Sequence, residues 1–236
     1  MVPGEFPELT IPGLSTLPEL DAPWDEEHWA PIQPTLVSSF HPKSLSHRPL
    51  VQVKMVHDGD HLQVGFRVED RFVRAVNREY QSAVYEDSCV EIFVQPTPTG
   101  GYFNFEVNAI GTLLLSHIRD PRRTDDGFAD FDRVTADRAA CVGIWASLGS
   151  VPFEEVPGPL VWQVTIRIPA HLVLLRGSKN EVISAKSLAG SSWRGNLQKC
   201  ADRSSVPHWG SWAPIGEALN FHQPENFGIF RFGPMP

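Results

Sequence analysis

The sequence contains few of the residues that build disulfide or zinc frameworks. Its 236 residues include 3 cysteines, Cys89, Cys141 and Cys200, which are too few and too scattered for a disulfide network. No C-x-x-C or Cys/His pair has the spacing of a structural zinc site. We therefore expect these thiols to behave as small buried apolar side chains.

Positive charge is also scarce. The 20 Lys and Arg are outnumbered by 28 Asp and Glu, and the net charge is -8. This excess of acid makes the polyanionic backbone of nucleic acids an unfavourable partner, so no nucleic acid is expected to bind.

Long apolar segments are missing as well. No apolar run approaches the ~20 residues that span a bilayer, so no membrane partner is expected. The first residues lack both the basic start and the apolar stretch of a signal peptide. The sequence as it stands is therefore expected to be cytoplasmic, or secreted or periplasmic if an export signal was removed.

Turn-forming residues and a two-residue hydrophobic rhythm are abundant. The chain has 21 Pro and 18 Gly, and Leu62, Val64, Phe66 and Val68 alternate with polar residues directly after the turn signal at Asp58-Gly59. Similar runs recur at residues 51–55, 90–94, 103–107, 141–148, 160–168 and 228–232. About nine to eleven short strands are typical of an all-β protein built as an antiparallel β-sandwich.

The remaining segments complete this expectation. Pro169 favours one short helix over Ala170–Leu175, because proline is tolerated in a first helical turn. The charged stretch Asp120–Asp137 predicts a long surface loop. Residues 1–49 are Pro-rich and irregular, and with no composition break elsewhere, residues 1–236 are expected to form one domain.

No familiar catalytic signature is present. The sequence has no G-x-S-x-G, H-E-x-x-H or P-loop motif. Two carboxylates, Asp87 and Glu91, lie on one face of one strand, and the sequence supplies no partner opposite them. A glycoside-acting enzyme using Glu91, Glu106 or Asp87 is therefore an alternative, and solvated strand carboxylates are the commoner explanation.

Polar residues interrupt strands that otherwise have the pattern of buried ones. They are Glu91, Glu106, Asn108, Asn196, Gln198 and Lys199, and the aromatic residues Trp193, Trp209, Trp212, Phe221 and Phe227 cluster near the end of the chain. Aromatic rings that cover sugar C–H groups, beside acid, amide and basic side chains that bind hydroxyls, are typical of sugar sites. The alternative for each tryptophan is a place in the core.

Four segments carry a family resemblance. They are Tyr85-Glu-Asp-Ser-Cys-Val-Glu-Ile-Phe, Tyr102-Phe-Asn-Phe-Glu-Val-Asn, Asn196-Leu-Gln-Lys-Cys-Ala-Asp and Asn220-Phe-His-Gln-Pro-Glu-Asn-Phe-Gly. At these residues the sequence resembles the family 9 carbohydrate-binding modules, within the DOMON-like β-sandwiches, from about residue 21 to residue 232. The resemblance implies a jelly-roll-like sandwich that holds a sugar, often at a chain end, without catalysis.

The resemblance also implies roles for individual residues. Tyr85 and Phe221 correspond to the two rings that stack on a mono- or oligosaccharide, and Glu91, Asn108 and Gln198 to the groups that bind its hydroxyls. Both rings are smaller than the family's usual tryptophan. Glu106 stands where the family has arginine, and Ala218 where it has asparagine.

Other features of the family remain expectations. The segment from Trp193 through Asn196 and Lys199 resembles a stand-alone bacterial branch, associated with polysaccharide utilisation, and adds these residues to the sugar site with Asp202 nearby. No cofactor is required. The family often carries structural calcium, for which Asp70 and Asp87 offer oxygen ligands. Some DOMON-like sandwiches bind haem, but the only methionines here are Met1, Met55 and Met235.

Overall fold

The computed structural model describes residues 6–26, 28–125, 127–176, 181–182 and 187–236, and their regular secondary structure is mostly β-strand. The strands are β1 (Glu8–Ile11), β2 (Thr35–Leu36), β3 (Ser39–Phe40), β4 (Leu50–His57), β5 (His61–Asp70), β6 (Val73–Ala75), β7 (Cys89–Gln95), β8 (Tyr102–Asn108), β9 (Leu113–Thr124), β10 (Gly127–Arg133), β11 (Gly143–Ala146), β12 (Phe153–Val156), β13 (Leu160–Pro169), β14 (Leu175–Arg176), β15 (Glu181–Val182), β16 (Ser192–Cys200), β17 (Trp209–Ser211) and β18 (Gly228–Phe232).

The described residues contain two short α-helices, α1 (Ala136–Ala139) and α2 (Ala170–Val173), and 3₁₀ turns at Val84–Glu86 and Pro224–Asn226. Helix α2 confirms the expected helix after Pro169, which is its N-cap residue, although it ends two residues earlier. Within the described ranges, no helix has both the length and the apolar character needed to cross a membrane.

Two sheets dominate the fold. The large sheet has nine strands, in the order β1-β18-β16-β7-β8-β9-β10, with β17 beside β16 and β3 beside β17. The small sheet has five strands in the order β11-β13-β5-β4-β2, and the pairs β6–β12 and β14–β15 form short ribbons. Pairing between the strands of the described residues is antiparallel except between β1 and β18. The expected antiparallel β-sandwich is confirmed.

The core lies between these two sheets. Val90 and Ile92 of β7 and Phe105 of β8 pack in the same cluster as Val64 and Phe66 of β5, and all five are fully buried. Because successive side chains of a strand point to opposite faces, the alternate residues of β7 and β8 face away from this core. Those outward residues form the floor of the site described below.

The β4–β5 hairpin forms where the sequence predicts it. Gly59 has a φ of 95°, a conformation that glycine adopts without steric cost. The Asp58 Oδ1 accepts hydrogen bonds from the backbone N–H of Asp60 at 2.9 Å and of His61 at 2.7 Å. This side-chain cap fixes the turn and therefore the register of both strands.

The Pro-rich N-terminal segment covers the outer face of the small sheet. Strands β1 to β3 lie within it, and Trp29 is buried against the sheet. A Cβ at Gly65 would lie 3.4 Å from the rings of both Trp24 and Trp29. The Lys54 Nζ donates to the carbonyl oxygens of Trp24 and Trp29, so the segment is held by polar as well as apolar contacts.

The expected loop over Asp120–Asp137 is wrong. Most of this stretch belongs to the hairpin of β9 and β10, which ends the large sheet, and it is followed by α1. Arg119 on β9 binds Asp132 on β10, with 2.7 Å between Nη1 and Oδ2. Charged residues and Pro121 are the features that protect an edge strand from further pairing, and they hide its strand pattern in the sequence.

A buried ion pair joins the two sheets. The Lys199 side chain on β16 turns toward the core, where its Nζ lies 3.3 Å from Asp70 Oδ2 on β5. The same carboxylate accepts from Trp162 Nε1 and lies 2.7 Å from His47 Nε2. Burial raises the pKa of Asp70, but the charge of Lys199 and the hydrogen bond with His47 outweigh burial and bring the pKa below its ordinary value.

Removing one member of this pair should strongly destabilise the fold. Asp70→Asn keeps the shape of the side chain but leaves the ammonium of Lys199 buried without a counter-charge, which we expect to lower the free energy of unfolding by ~3–5 kcal/mol. Urea unfolding followed by circular dichroism measures this change. Glu8→Ala, which breaks an exposed pair with Arg231, is the control and should cost far less. Equal losses in the two variants would contradict the role of the buried pair.

Candidate functional site

A cleft of about 440 Å³ opens on the outward face of the large sheet. Outward side chains of β7, β8, β9 and β16 form its floor. Its walls come from the 3₁₀ turn Val84–Glu86, from the β9–β10 hairpin, and from the segments around Trp209 and residues 219–222. The cleft lies within the range of about 300–1,000 Å³ that is usual for small-molecule sites.

Two carboxylates occupy the centre of the floor. Glu91 on β7 lies directly opposite Glu106 on β8 in the strand register, and both are almost completely buried. The Glu106 Oε1 accepts a hydrogen bond from Asn104 Nδ2 at 2.6 Å, and the Glu91 Oε1 accepts one from Cys200 Sγ at 3.1 Å. Among the described residues, Glu106 Oε2 has no hydrogen-bond partner.

The pKa values of Glu91 and Glu106 are raised mainly because both side chains are buried. Burial raises the pKa of Glu91 well above its ordinary value, and the neighbouring Cys200 and Glu106 raise it further. Burial likewise raises the pKa of Glu106 to about 7, although the hydrogen bond from Asn104 and the charge of Arg123 act in the opposite direction. Within the described part of the chain, neither carboxylate forms a salt bridge.

Aromatic rings line the walls. The structure brings Tyr85 and Phe221 to the same cleft, although 136 positions separate them in the sequence. Tyr85 is 40% exposed, whereas Phe221 is 9% exposed and packs mainly into the wall. Trp209 adds a third ring, whose Nε1 donates to Asp202 Oδ1 at 2.6 Å, and Asp202 also lines the cleft.

The β9–β10 hairpin forms one wall of the cleft, which was not predicted from the sequence. Phe128 and Phe131 meet edge to face with 5.5 Å between ring centres, and the guanidinium of Arg123 lies 4.1 Å from the centre of the Phe128 ring. Arg133 lines the cleft from the same hairpin. Two phenylalanines flanked by arginines were the available signal, and the expectation of a loop concealed it.

His222 also lines the cleft, and its role was not predicted from the sequence. Its Nδ1 lies 2.9 Å from the hydroxyl of Tyr102, and its ring packs 4.6 Å from that of Phe128. Burial lowers the pKa of His222 to about 3, with a further contribution from Arg123. The imidazole is therefore neutral near pH 7 and presents a polar edge within an aromatic wall.

Two predicted sugar-binding amides are structural instead. Asn108 is fully buried, and its Nδ2 donates to Asn77 O at 2.7 Å and to Asp87 Oδ2 at 3.0 Å. Asn196 is also fully buried and exchanges hydrogen bonds of 2.9 Å with the backbone N–H and C=O of Ala213. Both amides form hydrogen bonds inside the protein, and neither is among the residues that line the cleft.

Gln198, Lys199 and Trp193 also lie outside the cleft. Gln198 is on the outward face, opposite Glu91, but is fully buried. Lys199 and Trp193 point to the other face of β16, because strand side chains alternate. Lys199 pairs with Asp70, and Trp193 packs edge to face on Phe232 with 4.8 Å between ring centres. Trp193 is therefore a residue of the core, which was the alternative to a sugar-binding role.

The predicted calcium ligands Asp70 and Asp87 lie in separate surroundings and share no partner. Asp87 Oδ2 accepts from the backbone N–H of Val76 and Asn77 and from Asn108 Nδ2, while its Oδ1 lies 3.3 Å from Arg74 Nε. Each carboxylate is committed to a cation and to N–H donors of the protein, so the geometry gives calcium no support. Asp87 also lies outside the cleft lining, which removes it from the glycosidase alternative.

The described residues contain one group of side chains that could hold a metal ion. Ligand atoms of Cys89, Glu91 and Cys200 all lie within 4.8 Å of one another. The methionines give no comparable support for haem binding. Met55 is buried in the core, Met235 lies beside Gly13, and Met1 is outside the described residues.

Comparison with known proteins identifies the family. The sequence model of carbohydrate-binding family 9 matches residues 28–232. The chain belongs to this family. No curated protein matches it.

Solved structures share the fold. A candidate carbohydrate-binding protein of Bacteroides uniformis has a TM-score of 0.83 and 29% sequence identity, with 97% of this chain and 100% of that chain covered. A family 9 module of Caldicellulosiruptor kristjanssonii in complex with glucose has a TM-score of 0.63 and 14% identity over 98% of this chain and 97% of that chain. The complex of a family 9 module from the same organism with cellotriose has a TM-score of 0.61 and 16% identity over 97% and 95%.

The structural role of Asn108 can be tested by stability. Asn108→Ala removes donors to Asp87 and Asn77 inside the protein, and leaving such buried groups unpaired costs ~1–3 kcal/mol. We expect urea unfolding to show this loss in the free energy of unfolding. Asn220→Ala, at the partly exposed rim of the cleft, is the matched control and should lose less. A smaller loss for Asn108→Ala than for Asn220→Ala would contradict this role.

Proposed function

We propose that the protein binds a carbohydrate in this cleft and does not cleave it. The observation that carries the proposal is one cleft, in a chain of carbohydrate-binding family 9, whose aromatic walls stand over a floor of buried polar groups. A sugar ring presents apolar C–H faces and a rim of hydroxyls. The aromatic walls of the cleft can pack against the C–H faces, and the polar groups of the floor can form hydrogen bonds with the hydroxyls.

Stacking is assigned to Tyr85 and Phe221, the two rings that line the same cleft. Tyr85 is accessible enough to offer a ring face to a sugar, whereas Phe221 is mostly buried and packs into the wall. Contact with a sugar face buries apolar surface and uses the negative face of the aromatic ring. Rings smaller than tryptophan cover less of the sugar, so we expect modest affinity.

Recognition of hydroxyl groups is assigned chiefly to Glu106. Its Oε2 is buried at the floor and has no hydrogen-bond partner among the described residues, while Asn104 holds the other oxygen in place. A sugar hydroxyl that donates to Oε2 would satisfy this atom. The guanidinium of Arg123, an obligate donor, lies on the neighbouring wall and can serve acceptor oxygens.

Glucose and short cello-oligosaccharides are the first ligands to examine. The two family 9 structures from Caldicellulosiruptor kristjanssonii contain glucose and cellotriose, and both structures share the fold of this chain. Binding at a chain end, as the family resemblance implies, predicts that the reduced alditol of a cello-oligosaccharide binds differently from its parent sugar.

The arrangement of carboxylates favours binding over hydrolysis. Glycosidases place an acid and a base or nucleophile on either side of the scissile bond. Glu91 and Glu106 are neighbours on one face of one sheet and approach a ligand from the same side. Asp202, the further acid in the cleft, is engaged by Trp209.

Truncating the accessible ring should weaken binding. Tyr85→Ala is expected to reduce affinity by ~1–3 kcal/mol, because ring area buried against the sugar is lost. Isothermal titration calorimetry with glucose and cellotriose measures the change. Phe6→Ala removes a ring of nearly equal exposure, 41%, outside the cleft, and should leave affinity unchanged. No heat with any sugar at millimolar concentration would refute the proposed function.

The second ring needs two variants. Phe221→Ala is expected to weaken binding to a similar extent, ~1–3 kcal/mol, and also to destabilise the apolar cluster around the ring. Phe221→Leu keeps that cluster apolar but removes the flat face. If Phe221→Leu retains full affinity while Tyr85→Ala does not, one ring rather than two holds the sugar.

Glu106→Gln tests recognition at the floor and catalysis together. The amide keeps the shape but loses the negative acceptor, so sugar affinity should fall by ~1.5–3 kcal/mol, the range for hydrogen bonds to charged groups. The wild-type protein should release no chromophore from nitrophenyl glycosides during prolonged incubation. Turnover that disappears in Glu91→Gln would instead establish a glycosidase.

A further inference from the structure

We propose that Cys89, Glu91 and Cys200 form a zinc site at the floor of the cleft. Their ligand atoms all lie within 4.8 Å of one another, and all three side chains are almost fully buried. The proposal is independent of sugar binding, because it rests on the geometry of this group alone.

The strand register explains why the three side chains converge. Cys89 on β7 is paired directly with Cys200 on β16, so both thiols emerge on the same face of the large sheet. Glu91 is two residues further along β7 and therefore shares that face. Its Oε1 already lies 3.1 Å from Cys200 Sγ.

The distances are compatible with tetrahedral coordination. With zinc–ligand bonds of about 2.0–2.3 Å, neighbouring ligand atoms lie about 3.3–3.8 Å apart. The observed separations are at most 4.8 Å, and any beyond this range must shorten when a metal binds. The other contacts of the thiols are long: Cys89 Sγ lies 3.6 Å from Val90 O, and Cys200 Sγ lies 3.5 Å from Tyr85 O.

Two further side chains beside the group are buried and lack partners. Gln198 lies opposite Glu91 in the register, and neither polar atom of its amide has a hydrogen-bond partner among the described residues. Glu106 lies opposite Glu91 on the other flank, and its Oε2 is also without a partner within the described ranges. The amide oxygen of Gln198 can complete or support the coordination sphere.

Charge and chemistry select the metal. Glu91 forms no salt bridge in the described part of the chain, so no basic side chain there competes with a metal for its oxygens. The nearest lysine along β16, Lys199, faces the core and pairs with Asp70. Two thiolates and one carboxylate suit Zn²⁺ and disfavour Ca²⁺ and Mg²⁺, which prefer oxygen ligands alone.

An entry path exists as well. Glu91 and Cys200 line the cleft, so two of the three ligands lie at the surface from which an ion would approach. The third cysteine is exposed and lies outside the group. Cys141 therefore provides a matched control for every thiol-based measurement.

Metal binding by the reduced, chelator-treated protein tests the proposal. Zinc titrated in the calorimeter should bind at one equivalent per chain. Changing an outer partner of a metal ligand typically costs 10–100-fold in affinity, so Cys89→Ala and Cys200→Ala should each weaken binding by more than ~100-fold, and Cys141→Ala should leave it unchanged. Glu91→Gln, which preserves the shape of the floor, should weaken binding without unfolding the protein.

Cobalt supplies a second readout that does not depend on affinity. Co²⁺ bound by thiolates gives a sulfur-to-metal charge-transfer band, which should appear in the wild type and in Cys141→Ala and should decrease in Cys89→Ala and Cys200→Ala. Absence of zinc binding by the reduced wild type would overturn the proposal. Binding that survives in Cys89→Ala and Cys200→Ala but is lost in Cys141→Ala would also overturn it. Neither result bears on sugar binding, which is measured in the presence of chelator.

Discussion

The two-residue alternation of side chains along β7, β8 and β16 determines both the core and the floor of the cleft. One set of side chains, among them Val90, Ile92 and Phe105, fills the space between the sheets. The complementary set, which includes Glu91 and Glu106, must then face outward. A shift of register by one residue would place acids in the core and apolar groups in the cleft. Stability and site geometry are therefore set by the same pairing.

Strand β16 shows how closely the two roles are joined. Lys199 enters the core and pairs with Asp70 of the opposite sheet, while its neighbours Gln198 and Cys200 face outward beside Glu91. The ion pair fixes the position of β16 against the small sheet, and thereby the position of Cys200 at the floor. The polar residues of β16 therefore have two roles. Lys199 forms an ion pair in the core on one face, and Gln198 and Cys200 lie beside Glu91 on the other.

Much of the fold could be predicted from the sequence, because alternation and turn residues are local signals. The Asp58-Gly59 turn, the helix after Pro169 and the strands β4, β5, β7, β8, β11, β13 and β18 follow from such signals. Tyr85, Glu91 and Phe221, to which the family resemblance assigns sugar binding, line one cleft together with Glu106. Whether these four residues bind sugar remains a prediction.

The rest could not be predicted, because burial and partners are set by tertiary contacts. The roles of Asn108 and Lys199 depend on Asp87 and Asp70, which are close in space and distant in sequence. A polar side chain in a strand has the same appearance in the sequence whether it binds a ligand or ties the protein together. The β9–β10 hairpin was concealed for a related reason, since the charges that protect an edge strand are also those of a loop.

That hairpin makes the two halves of the cleft respond differently to their surroundings. The floor belongs to the inner strands of the large sheet, whose pairing is buried. The hairpin wall is braced by exposed ion pairs between Arg119 and the acids of β10, which dissolved ions screen. Rising ionic strength therefore weakens the ion pairs in this wall of the cleft, while the buried interactions of the floor are screened much less.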